Sequence, residues 1–502
     1  MIFNSSSISS NIEFENIIRI ETNISEKGLP TFEIFGLVTK SIEESKKRIL
    51  NSFESIGIPF PLRNISINLA PAEIIKEGSH YDLAIAASIL KYTNTLLFDE
   101  KADLFLGELS LDGSVREIKN ALYLVLIGKK LGFRRFFIPK GSINEVLIIP
   151  DIKVFAVSNL RDLLNIDSLV PEKNNEFKLE SNIVPSNFSK ILGNSLSKRV
   201  LALSLAGGHH LLLNGFPGSG KSLLAKSSQE LIPNLEIDAA IDVAKIYSFL
   251  GIKRSSENFF RPPFRSPHNT SSYSSIFGSA GKSIFPGELA LANHGILFLD
   301  EFPEFNRLVL EGLRAPLEDK QITISRGRSK KTFDTNFILI ATMNPCKCGY
   351  FNHQKLSCRC MPSDIKRYQN KISGPISDRI DLQINQDIIS SNLSISEQKN
   401  YSYEEFLELK NKVFKSFKLL NSYKVKDVDS NFSQLLSNNI NLPELSSKSI
   451  NLIKTIQEKY SLSNRKYFKI LNIARTISIF DSKENINPEA IFEALSLSGF
   501  KN

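Results

Sequence analysis

A chain of 502 residues holds about three domains of ordinary size, and 42% hydrophobic with 23% charged residues is the balance of a soluble globular protein. No apolar run approaches the ~18 residues of a membrane span, and the start, Met1-Ile2-Phe3-Asn4-Ser5, lacks the basic and apolar stretches of a secretory signal, so a cytoplasmic location is expected. A formal charge of +9 favours a polyanionic partner, although general richness in Lys supplies part of it, and four cysteines confined to Cys346–Cys360 suggest a metal rather than a disulfide framework.

The first stretch alternates strand and helix signals. Ile17-Ile18-Arg19-Ile20-Glu21-Thr22 and Thr31-Phe32-Glu33-Ile34-Phe35-Gly36 read as strands. Ser41-Ile42-Glu43-Glu44 reads as a capping box opening a helix that carries Ile42, Ile49, Leu50 and Phe53 and stops at Gly57. Further helices are expected over Leu83–Leu90 and Ala121–Leu131, and Phe136-Phe137-Ile138-Pro139 reads as a short buried strand. The polar, aperiodic Val170-Pro171-Glu172-Lys173-Asn174-Asn175-Glu176 marks a linker.

Gly215-Phe216-Pro217-Gly218-Ser219-Gly220-Lys221-Ser222 is a complete G-x-x-x-x-G-K-[ST] loop, preceded by apolar Leu211-Leu212-Leu213 and followed by helix-forming Leu223-Leu224-Ala225. Gly215, Pro217, Gly218, Ser219 and Gly220 turn backbone N–H groups around a triphosphate, Lys221 reaches the β- and γ-phosphates, and Ser222 ligates Mg²⁺. Gly295-Ile296-Leu297-Phe298-Leu299 is a buried strand ending in Asp300-Glu301. There Asp300 holds the Mg²⁺ shell with Ser222, and Glu301 polarises the attacking water. Ile322–Phe333 reads as a hairpin with Arg326, Arg328, Lys330 and Lys331 at its tip. Phe337–Met343 is another buried strand, and Asn344 at its end is placed to hydrogen-bond a γ-phosphate or the lytic water. Cys346-x-Cys348, a nine-residue loop and Cys358-x-Cys360 follow, a set suited to tetrahedral Zn²⁺, with His353 as an alternative ligand. From about residue 395 the pattern turns helical.

These motifs resemble the AAA+ superfamily and, within it, the magnesium-chelatase-like ComM/YifB family. Arg261-Pro262-Pro263-Phe264-Arg265-Ser266-Pro267-His268, Pro286-Gly287-Glu288, Leu299–Phe305, Pro316-Leu317-Glu318-Asp319, Asn344-Pro345-Cys346, Ser373–Asp381 and Ala474-Arg475-Thr476 carry the resemblance over nearly the whole length. Where the family has a second His after His268, this chain has Asn269. The resemblance implies an arginine finger at Arg379, acting on a neighbouring subunit in a ring of six, and a sensor-2 arginine at Arg465 in a helical lid. It implies ATP and Mg²⁺ as ligands and a multidomain α/β fold. The division it implies is a Lon-protease-like α+β domain over residues 1–168, a linker over 169–186, the AAA+ core with a parallel sheet and the cysteines over 187–392, and the helical lid over 393–502.

The Lon-like similarity runs through Lys76–Leu83 and Gly107–Gly113. Aligning Asp82-Leu83-Ala84 with the nucleophile motif puts Ile85 where the Ser belongs, and apolar Ala121-Leu122-Tyr123-Leu124 where the Lys belongs. No protease activity is expected. In related ring motors the hairpin lines the pore, so its four cations imply DNA as the partner, tracked by charge; Arg261, Arg265 and His268 are a second pore candidate. The resulting expectation is a hexameric ATP-dependent DNA helicase or branch-migration translocase serving recombination or transformation. A protein-remodelling ATPase and the motor subunit of a chelatase are the alternatives. The chelatase subunit it resembles has neither a Lon-like domain nor the cysteines.

Overall fold

The computed structural model describes residues 2–9, 16–172, 187–386, 395–424 and 445–499, apart from 28, 38, 94, 192, 253, 255–257, 282, 283, 327, 328 and 461. The chain divides into two compact units, Met1–Glu180 with Ile237–Phe260, and Ser181–Glu236 with Arg261–Asn502.

In the first unit, β1 (Ile2–Ile8), β2 (Ile17–Ser25), β3 (Thr31–Phe35), α1 (Lys40–Ser55) and β4 (Asn64–Ala70) build a sheet of order β1-β2-β4-β3, in which only β3 runs parallel to its neighbour. Strand β4 alternates strictly, burying Ile65, Ile67 and Leu69. Helix α1 buries Ile42, Ile49 and Phe53 and ends before Gly57, whose φ is +74°. The expected capping box does not form. The helix starts at Lys40, so Ser41 lies inside it, and the Ser41 hydroxyl meets that of the N-cap residue Thr39 at 3.0 Å. Helix α2 (Asp82–Tyr92) is buried from Asp82 through Leu90.

A three-stranded parallel sheet of order β5-β8-β9 follows. Its parts are β5 (Asp103–Phe105), the ribbon β6 (Glu108–Leu109) with β7 (Val115–Arg116), α3 (Ala121–Lys130), β8 (Arg135–Pro139), α4 (Ile143–Val146) and β9 (Lys153–Val157). Phe137 stacks between Phe105 and Phe155, with ring centroids 4.8 Å apart on each side.

The second unit opens with α5 (Ser195–Gly207), β10 (Leu211–Gly215) and α6 (Lys221–Leu231). The chain then leaves it. Helix α7 (Ile237–Phe249) packs on α3 and belongs to the first unit, so the domain expected over 187–392 is interrupted. The helix buries Ala240, Val243 and Ala244, an apolar face that any sheet or helix could cover, so its sequence does not tell which one does. The expected boundaries at 169–186 and 392–393 fall largely on residues outside the described ones.

After re-entry come β11 (Phe264–Arg265), α8 (Tyr273–Phe277), β12 (Gly278–Ala280), β13 (Ile284–Pro286), α9 (Glu288–Leu291) and β14 (Ile296–Leu299). Next are α10 (Arg307–Gly312), α11 (Arg314–Asp319), β15 (Gln321–Arg326), β16 (Ser329–Asp334), β17 (Ile338–Met343), α12 (Pro362–Gln369), α13 (Gly374–Ser377) and β18 (Leu382–Gln386). Five strands make one parallel sheet of order β11-β14-β17-β10-β18. Its three central strands, β14, β17 and β10, are largely apolar runs, as burial on both faces requires, whereas the edge strand β18 alternates. The chain ends in α14 (Ile395–Lys424), α15 (Ser447–Tyr460), α16 (Asn464–Phe480) and α17 (Pro488–Leu497), which share a core with α5 and β10 through Phe406, Val413, Ile473 and Ile491.

Candidate active site

Strand β10 delivers the chain to the phosphate loop, where Gly218 and Gly220 take φ of +78° and +87° and α6 begins at Lys221. A Cβ at Gly215 would stand 2.4 Å from the Gln386 carbonyl oxygen, so only glycine lets the two strand ends come this close. The Lys221 ammonium donates to the carbonyls of Gly215 (2.6 Å) and Phe216 (2.8 Å) and to Asn344 Oδ1 (3.1 Å). Burial pushes it down to about 8, against the pull of Asp300 and Glu301.

The Ser222 hydroxyl donates to both Asp300 carboxylate oxygens, at 3.1 and 2.9 Å. Asp300, Glu301 and Asn344 sit where the sequence puts them, at the ends of the adjacent strands β14 and β17. Glu301 turns away through left-handed backbone (φ +52°), and Asn269 Nδ2 donates to its Oε2 at 3.0 Å.

Three further residues carry roles that motif reading does not give, two of them beside this site. Thr342, on β17, donates to Asp300 Oδ1 and accepts from the Glu301 N–H at 3.1 Å, and so orients both acids. Gln386, at the end of β18, donates through Nε2 to the Ser219 carbonyl at 2.6 Å. Its buried Oε1, like the buried Ser219 hydroxyl, has no hydrogen-bond partner, a pair of orphaned polar atoms beside the phosphate loop. The third is Glu318, which binds both assigned arginines, Arg379 and Arg465. A Thr inside an apolar strand and a Gln that closes a mixed one carry no spacing signal.

The four cysteine sulfurs lie within 4.8 Å of one another, with Cys346, Cys348 and Cys358 separated by 3.4–3.7 Å. Hydrogen bonds from the Tyr350 and Arg359 N–H groups hold the Cys348 thiol below its usual range. His353 stands outside this cluster. Its Nδ1 accepts from the Lys355 and Leu356 N–H groups at 3.0 and 2.9 Å, and its ring meets Phe216 edge-on at 4.7 Å. A Cβ on Gly349 would strike Pro217 at 2.4 Å, so the cysteine loop rests directly on the phosphate loop.

Arg326 pairs with Ser329 to close the β15–β16 hairpin, and Lys330 and Lys331 lie opposite Ser325 and Ile324, inside the strand rather than at the tip. Arg328 lies outside the described residues. Of the second pore candidates, Arg265 is held by Glu288 in a two-point pair at 2.6 and 2.7 Å, and His268 Nδ1 is 2.8 Å from the Thr270 hydroxyl. In the first unit Ile85 is fully buried, Ser79 donates to Glu108, Ser88 bonds Thr22 (2.6 Å) and the Ile85 carbonyl (2.7 Å), and Lys76 donates to the Pro71 carbonyl. Ser79, Ser88 and Lys76 thus bond groups other than one another.

Three family profiles match the chain. They are "Subunit ChlI of Mg-chelatase" over residues 20–142, "Magnesium chelatase, subunit ChlI" over 187–393 and "Magnesium chelatase, subunit ChlI C-terminal" over 424–498. The chain is 32% identical over 489 residues to the uncharacterized protein YifB of Escherichia coli strain K12, covering 95% of this chain and 93% of that one. It is 31% identical over 498 residues to the competence protein ComM of Haemophilus influenzae, covering 95% and 94%. A shorter match, 24% identical over 230 residues, covers 43% of this chain and 25% of the DNA replication licensing factor mcm-6 of Caenorhabditis briggsae.

Proposed function

The chain belongs to the magnesium-chelatase-like ComM/YifB family, and from that premise we propose that it is an ATP-hydrolysing DNA motor, a ring of six that unwinds or migrates branched DNA in recombination or transformation. The observation that carries the ATPase is the convergence of Asp300 and Asn344, from two neighbouring strand ends, on Ser222 and Lys221, with Thr342 holding Asp300. Ser219 Oγ and Gln386 Oε1, buried and without hydrogen-bond partners, fit a loop built to receive a polar ligand.

In this reading Lys221 exchanges the Gly215 and Phe216 carbonyls for the β- and γ-phosphates. Ser222 and Asp300 hold Mg²⁺, which neutralises phosphate charge when bound. Glu301 accepts a proton from the attacking water, and Asn344 orients that water or the γ-phosphate. Arg379 and Arg465 stabilise the charge that develops on the transferring group. DNA as the track is supported by the cations of the β15–β16 hairpin and by the names of two relatives, a competence protein and a DNA replication licensing factor.

The test is ATPase activity with no nucleic acid, single strand, duplex and a four-way junction. Stimulation by any DNA supports the motor. Equal rates in all four leave the ATPase standing and move the substrate to a protein partner or a metal-insertion complex. The cysteines are read as one structural Zn²⁺ per chain, with no position open to substrate. Elemental analysis of chelator-free, reductant-protected protein that finds no zinc removes that part. The first unit is read as an inactive relative of the Lon protease domain, serving assembly or partner binding. No helix among the described residues is long and apolar enough to cross a membrane.

A further inference from the structure

Arg379 and Arg465 come from different elements and end on the same carboxylate. Arg379 follows α13, and its Nη2 pairs with Glu318 Oε2; Arg465 is in the first turn of α16, and its Nη1 pairs with Glu318 Oε1 at 3.0 Å. Each oxygen thus takes one guanidinium. The elements on either side are tied by further contacts. Arg379 Nη1 donates to the Pro375 carbonyl at 2.7 Å, Lys466 pairs with Asp378 at 3.7 Å, and Lys469 donates to the carbonyls of Ile380 and, at 3.4 Å, Asp378. The finger loop and the start of α16 therefore form one platform, and α11 contributes Glu318 across it.

Two guanidinium groups repel, and a single carboxylate between them offsets that repulsion and fixes their spacing. The Arg379 side chain is only 15% exposed, whereas those of Glu318 and Arg465 are 44% and 48% exposed. An ornamental surface pair has neither a largely buried partner nor both oxygens engaged. The open side of the cluster faces solvent, and a guanidinium fork fits phosphate as it fits carboxylate.

We propose that Glu318 is a positioning residue that gathers Arg379 and Arg465 into a single anion-binding pair, so that both act on one triphosphate, bound by another copy of the chain. This rests on the reading of Arg379 as an arginine finger acting in trans. It also moves Arg465 from its own subunit's site to the neighbour's.

The experiment uses full-length Glu318→Gln, which keeps the side-chain shape and removes the charge, with Glu318→Asp beside it and ring size followed by light scattering. Glu318→Gln rings are expected to bind ATP and to lose kcat by about tenfold to a hundredfold, with little change in KM, and Glu318→Asp to recover part of the loss. Mixing Glu318→Gln with Lys221→Ala chains should restore activity, because some interfaces join an intact loop to an intact arginine pair. Mixing it with Arg379→Ala or Arg465→Ala chains should restore none. Wild-type kcat in intact Glu318→Gln rings overturns the proposal, as does rescue by Arg379→Ala but not by Lys221→Ala. The control mixture, Arg379→Ala with Lys221→Ala, isolates the premise: no recovery there removes the trans-acting finger and this proposal with it. Recovery in the control without recovery for Glu318→Gln removes this proposal alone.

Discussion

The first unit and the phosphate-loop site of the second both hold ionisable side chains in close polar contact, and they use them in opposite ways. In the first, each ends on a fixed internal partner: Asp82 on Arg48 (2.7 Å), Asp103 on Arg135 (2.6 Å), His80 on the Ile8 carbonyl (2.8 Å) and Lys76 on the Pro71 carbonyl. In the second, Lys221, Ser222, Asp300 and Glu301 hold one another, nearby carbonyls and Asn269 around a loop shaped for phosphate. The same residue types therefore act as structure where the partner set is closed, and as chemistry where phosphate or a metal can take a partner's place.

The largest effects should come from the exchangeable set. Lys221→Ala is expected to abolish nucleotide binding in calorimetry, while Glu301→Gln keeps binding and loses turnover by about 10²–10⁴-fold. Wild-type turnover in Glu301→Gln would break the contrast at its centre. Next is Arg48→Met, which strands the fully buried Asp82 carboxylate and should cost about 3–5 kcal/mol in urea unfolding, with KM for ATP unchanged. A changed KM would mean that the first unit's charges are not merely structural.

Acid should then expose the same unit. Burial pushes His80 down to about 4 from the usual 6.5, against the pull of the Ile8 carbonyl, so the unfolded chain takes up its proton first. The stability this provides is complete above pH 6.5 and is lost as pH falls toward 4, about 3 kcal/mol in all. Urea midpoints at pH 7 and pH 5 measure it, and a His80→Asn chain should show the flatter profile. Thr342→Val removes a hydrogen bond to each acid and should raise the activation barrier by about 1.5–3 kcal/mol, seen as lower kcat in a protein of unchanged melting temperature. The smallest effect is on Lys221. With its ammonium pushed down to about 8 in the free site, ATP affinity should fall by up to about tenfold per pH unit above that value.

What could be read in advance follows the same division. The phosphate loop, the acid pair and Asn344 are readable because apolar parallel strands with polar ends are local patterns, and the sheet only has to bring those ends together. Thr342, Gln386 and Glu318 are not, since their roles come from partners distant in sequence: Asp300, Ser219 and the two arginines. In the first unit, β1 hides behind its serines, Asn4-Ser5-Ser6-Ser7, which are paired into the sheet with Ile18 through Glu21. The capping box fails for a smaller reason, a helix start shifted onto Lys40. The destination of helix α7 is a tertiary fact that its own residues do not carry.

That detour has a consequence for how the protein is made. A ribosome that has released residues 1–180 has delivered a first unit that still lacks Ile237–Phe260, and the face of α3 that α7 covers stays bare. Some 80 further residues, including the phosphate loop and α6, must emerge before that unit can close, a wait of roughly 4–16 s at bacterial synthesis rates. The nascent chain thus carries β10 and α6 before the unit that precedes them is complete, and a gene fragment ending at residue 180 encodes an unfinished unit.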